Sequence, residues 1–130
     1  MAKVKTVPDG MHSLTPHIVC DGVAAAIEFY KKAFAAVEEV RLPAPDGKIM
    51  YARIRICGSA LMMAEEAPQF NALGPKTLKG SPVTIHLYVE DVDAFVKRAA
   101  DAGAKVPSGL YFVRLDAGTT TETIRTVRMR

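Results

Sequence analysis

The chain has 130 residues, of which 49% are hydrophobic and 24% charged, and carries a formal net charge of +3. It is too apolar for a disordered chain and too short for two independent cores, and no stretch approaches the roughly 20 apolar residues of a membrane-spanning helix. Nucleic-acid binding gains no support, because Arg114, Arg125, Arg128 and Arg130 against Asp116 and Glu122 place +2 of the charge in the C-terminal part, leaving a near-neutral body without a basic stripe.

The basic N-terminus lacks the apolar region of a secretory signal, so a cytoplasmic location is expected. Cys20 and Cys57 form no disulfide framework and lack the spacing of redox or zinc motifs, which makes them core thiols. In chain order, a strand is expected over Ser13 to Cys20. Asp21 then caps a helix over Val23 to Ala36, whose Val23, Ala26, Ile27, Tyr30, Ala33 and Phe34 form one apolar stripe. Three strand candidates follow, Val37 to Leu42, Lys48 to Cys57 and Ala60 to Glu65, broken by Pro45-Asp46-Gly47 and Gly58-Ser59. Residues 67–81, with Pro68, Gly74, Pro75 and Gly80, read as a linker. Beyond it come a strand over Val83 to Val89 and a helix over Val92 to Ala102, capped by Asp91 and stopped by Gly103.

The two halves repeat. Thr15 to Asp21 overlies Thr84 to Glu90 at an offset of 69 residues, and the offset persists into the helices, where Val23 meets Val92 and Ile27 meets Val96. Side chains two apart on a strand share a face. Leu14, Pro16, Ile18 and Cys20, like Val83, Ile85, Leu87 and Val89, should therefore pack on their own module's helix. Thr15, His17, Thr84, His86 and Tyr88 would line the opposite face, a polar face on core-like strands that suggests a cavity. In the third strand Met50, Ala52, Ile54 and Ile56 fall on the helix side, while Tyr51, Arg53, Arg55 and Cys57 fall on the cavity side. There the two arginines either meet a ligand or snorkel at a rim.

The runs Thr15 to Asp21, Ala26 to Phe34, Pro45 to Met50 and Ser81 to Asp93 resemble PhnB-like proteins of the glyoxalase, bleomycin-resistance and dioxygenase (vicinal oxygen chelate) superfamily, over about residues 8–106. The resemblance implies a single α+β domain of two βαβββ modules, about residues 8–66 and 82–130, whose curved mixed sheets form a cup around a small molecule. It also implies completion of the cup by homodimerisation. Metal-dependent relatives place a His on the first strand and a Glu on the last strand of each module. The matching positions here are Thr15, Thr84 and Met62, with the last Glu unassigned, so no metal cofactor is expected, a rearranged divalent metal site being the alternative.

His17 and His86 lie two residues beyond those positions and are related by the repeat. They read either as ligand-binding imidazoles or as satisfied cavity-wall histidines, with Glu66 near enough in parity to join them. The ligand-binding candidates are thus Thr15, His17, Arg53, Arg55, Met62, Thr84, His86 and Tyr88, with no catalytic residue assigned. Arg53 and Arg55 favour an anionic or neutral ligand.

The C-terminal part departs from the family, whose usual Gly-Asp-Arg-Tyr and Asp-Pro-Tyr-Gly motifs are missing, so the last module is incomplete or altered. A hairpin of Leu110 to Leu115 with Thr119 to Arg130 around Asp116-Ala117-Gly118 is expected in their place. Read from each codon's third base, the genetic code permits family-like motifs from the codons of Leu115 to Thr119 and Glu122 to Val127, which allows a frameshift near Phe112, a natural divergent tail being the alternative. Three functions compete: a small-molecule binding protein without the usual metal, a metal-dependent lyase, isomerase or dioxygenase, and a frameshifted copy without activity. No partner beyond a small molecule and a second copy is expected.

Overall fold

A computed structural model describes residues 3–105, 114–117 and 120–123. Its element order is β1 (His17–Cys20), α1 (Val23–Phe34), β2 (Val37–Pro43), β3 (Ile49–Ile56), β4 (Ser59–Glu65), a 3-10 turn (Pro68–Phe70), α2 (Pro75–Leu78), α3 (Val92–Asp101), β5 (Arg114–Ala117) and β6 (Thr120–Thr123). The fold is α+β, as expected. The chain divides into two units: Ala35–His86 with the chain up to Lys31, and Lys32–Phe34 with the chain from Leu87 on.

The first unit holds a βαβββ module. Its sheet has the order β1-β4-β3-β2, with β1 parallel to β4 and the other pairs antiparallel. Residues opposite one another across a ladder share a face. The register therefore puts Ile18, Met63 and Ala52 on one face together with Leu61, Ile54 and Glu38. Ala52, Ile54 and Met63 are fully buried there, as are Val23 and Ile27 of the α1 stripe, each large side chain contributing about 1.5–3 kcal/mol by leaving water. Both ends of this contact are pinned. Glu65 at the end of β4 accepts hydrogen bonds from the backbone N–H groups of Gly22 (3.0 Å) and Val23 (2.7 Å), and Lys31 reaches Glu38 of β2 at 2.8 Å.

Asp21, expected to cap α1, does not do so. Gly22 is the N-cap residue, in a left-handed conformation with φ of 88° that suits glycine, and the carboxylate that satisfies the first helical amides comes from Glu65 instead. Asp91 does cap α3, accepting from the Ala94 N–H at 2.9 Å, and Gly103 follows that helix with φ of 99°. In the second unit Phe34 stacks on Phe95, with ring centroids 5.3 Å apart, and Arg98 donates to the Lys32 carbonyl at 2.8 Å.

Two register shifts alter the simple alternation. Pairing skips between Leu42 and Pro43, which lie opposite Tyr51 and Ile49, so Met50 is the extra residue. Ile49 is consequently buried, while Met50, expected on the helix side, is 61% exposed. The second shift leaves Glu39 as the extra residue between Glu38 and Val40.

The expected strand over Val83 to Val89 is not formed, and Val83, Ile85, Leu87 and Tyr88 are exposed. In the first module β1 pairs with β4 alone among the described residues, so the first strand of such a unit depends on the fourth. In the second half the described residues of the C-terminal part pair with each other, β5 with β6, and give Val83 to Val89 no ladder partner. That antiparallel pair lies where a hairpin was expected; the remainder of the expected hairpin, and Phe112, lie outside the described residues.

Candidate functional site

The second face of the sheet carries the polar side chains. One row across all four strands runs His17, Met62, Arg53, Val40, and beside it lie Tyr51 and Arg55. Tyr51, Arg53, Arg55 and Met62 are half-buried and His17 is exposed, whereas their neighbours on the helix side are almost all buried. His17 and Tyr51 meet edge to face, their ring centroids 6.4 Å apart. Thr15 lies half-buried just before β1.

Glu39 organises the arginines. Alternation from Glu38 would carry Glu39 to this face and Val40 back to the helix side, but the bulge keeps both on the Arg53 and Arg55 side. Its carboxylate accepts from Arg53 Nε (2.9 Å), Arg55 Nε (2.6 Å) and Arg55 Nη2 (3.1 Å), and Arg55 Nη1 donates to the Gly58 carbonyl at 2.9 Å. The hydrogen bonds from Arg55, then those from Arg53, hold the Glu39 carboxyl below its ordinary pKa, so this ion cluster keeps its charges at neutral pH.

Of the first-half candidates, His17, Arg53, Arg55 and Met62 thus share one region of the sheet, with Thr15 two residues ahead of β1. Thr84, His86 and Tyr88 do not share a ladder with them; all three are exposed, on the unpaired run. Glu66 is engaged elsewhere: it accepts from the Gly74 N–H at 2.6 Å, and its hydrogen bonds from Thr77 and then Gly74 lower its pKa, so it braces the linker. Tyr51 lies on the side that alternation along its strand predicts. Glu39 was missed, because only the pairing of β2 with β3 brings its carboxylate to Arg53 and Arg55.

On the helix side, burial and then Glu65 raise the Cys20 thiol pKa, and burial and then Cys20 raise that of the Tyr30 hydroxyl, so both stay protonated at neutral pH. Neither faces the candidate site. The positions where a relative's metal ligands would stand offer the hydroxyls of Thr15 and Thr84 and the thioether of Met62, a weak set for a divalent ion. Among the described residues no group of three or more His, Cys, Asp and Glu is placed to hold a metal. The donors that the described residues place at these positions do not fit the superfamily's metal centre.

The family model of the Glyoxalase/Bleomycin resistance protein/Dioxygenase superfamily matches residues 10–112. The chain belongs to this superfamily. An uncharacterized protein of Mycobacterium bovis is 50% identical over 101 residues, covering 75% of this chain and 66% of that protein. A Mycobacterium tuberculosis relative has the same identity, and 59% of its length is covered. The chain thus spans about two thirds or less of the length of these relatives. Among solved structures, a protein from Pseudomonas aeruginosa superposes with a TM-score of 0.58 at 24% identity, covering 76% of this chain and 79% of that one. A gene product from Arabidopsis thaliana gives 0.54 at 23% identity, over 82% and 77%. At such identities the likeness concerns the fold. Among the described residues, no helix is long and apolar enough to cross a membrane.

Proposed function

We propose that this chain is a PhnB-like member of the superfamily that holds a small molecule against the open face of the β1-β4-β3-β2 sheet, without the superfamily's usual metal centre. One observation carries the reading: helix α1 covers one face with a buried apolar core, while the other presents half-buried Tyr51, Arg53, Arg55 and Met62 beside an exposed His17. A sheet face of that kind, with convergent hydrogen-bonding groups beside apolar ones, has the composition of a ligand wall. His17 and Tyr51 supply donors and acceptors, Arg53 a positive charge, and Met62 an adaptable apolar contact. By the internal repeat, Thr84, His86 and Tyr88 hold the corresponding sequence positions in the second half.

The protein acts in the cytoplasm as a homodimer in this reading, and its two free cysteines suit a reducing compartment. A thermal-shift screen of small metabolites on chelator-treated protein tests the proposal. Hits that stabilise the untreated chain and the chelated chain equally, and that weaken in His17→Gln, support it; hits that require added divalent metal favour the metal-dependent reading instead. A second reading, a frameshifted copy, draws support from the family match ending at residue 112, and sequencing the coding DNA in all frames tests it.

A further inference from the structure

Building on the binding role just proposed, we infer that the open face is built for a small organic monocarboxylate with an apolar body, anchored by Arg53, and that Glu39 is the positioning residue that makes Arg53 the anchor. Two guanidinium groups share one carboxylate, so this patch carries one uncompensated positive charge. The sharing is unequal. Arg55 spends all three nitrogens, two on Glu39 and one on the Gly58 carbonyl, and is a fixed strut. Arg53 gives Glu39 only its Nε, and its two Nη groups have no partner among the described residues.

A planar guanidinium with donors to spare matches a carboxylate in geometry as well as charge. The Arg53 side chain is 27% exposed, sheltered enough for its charge to act more strongly than in bulk water while leaving an approach open. Beside it in the same row stand Met62 and then His17 with its Tyr51 partner, an apolar and aromatic wall for the rest of the molecule. One spare cation calls for one negative charge. Glu39, held ionised between the arginines, would repel a second.

Benzoate and the near-isosteric neutral benzamide separate charge from shape. In NMR titrations following the His17 and Tyr51 ring resonances, benzoate should bind at least about tenfold more tightly than benzamide, a ratio typical of one charge-assisted contact. Arg53→Met should abolish the preference for benzoate over benzamide, with the His17 and Tyr51 ring resonances of the free variant in their original positions showing that the face is intact; Arg53→Lys should fall between. Glu39→Gln should tighten benzoate and leave benzamide unaltered, whereas a merely structural Glu39 would weaken both. Equal binding of the two probes, or an Arg53→Met variant that keeps its preference for benzoate, overturns the inference and leaves the binding role standing. Failure of either probe to perturb His17 and Tyr51 overturns both.

Discussion

Two carboxylates on different strands fasten α1 to the sheet, Glu65 near its first turn and Glu38 near its last, and each makes a measurable prediction. Glu65 bonds the amides of Gly22 and Val23, donors that no side chain of the helix itself satisfies. Glu65→Ala should therefore cost about 1–2 kcal/mol, the usual worth of a helix cap, seen as a lower urea midpoint with an unchanged slope. Glu38, bonded by Arg41 and then Lys31, has its pKa lowered from 4.5 to about 2. Because the folded value lies below the unfolded one, the contribution is fully present above about pH 4.5 and is lost as pH falls towards 2. The urea midpoint should decline across that window, and Glu38→Gln should flatten part of the decline; an identical pH profile in the variant would show that Glu38 is not its source.

The elements show which parts of the architecture are legible from sequence. The stripe of α1, the helix-side burial of Ala52, Ile54 and Ile56 and the placement of Arg53 and Arg55 opposite them all follow from simple periodicity, because α1 needs an apolar surface and the strands offer one. The sides taken by Met50 and Val40 were not legible in this way, since a bulge is a property of two paired strands and cannot be counted along one. Nor was Glu65, whose partner amides lie more than forty residues away. The run from Val83 to Val89 has the right alternation for a strand yet forms none, for alternation supplies a face but not a ladder partner. Ile54, fully buried at the centre of the sheet, should be the costliest site to truncate: Ile54→Ala is expected to lose about 2–5 kcal/mol in urea unfolding, and a loss below 1 would mean that this face is not the core.

At the scale of the whole molecule, the repeat at 69 residues falls within the family match over 10–112, and among the described residues the first module forms its full four-stranded sheet while the second half contributes the β5-β6 pair. The open edge of β1 and the exposed apolar run after residue 82 leave surface for a second copy to cover, and sedimentation at micromolar concentration is expected to show a dimer; a monomer there would count against it. Met62 and Met63 report separately on the two faces of the sheet, adjacent in sequence but lying on the open side and the α1 side. With methyl-labelled methionine and chelator-treated protein, adding a hit from the ligand screen should shift the Met62 methyl resonance and leave Met63 in place. Movement of Met63 alone, or no response at Met62 until a divalent metal is supplied, would contradict a metal-free site on the open face.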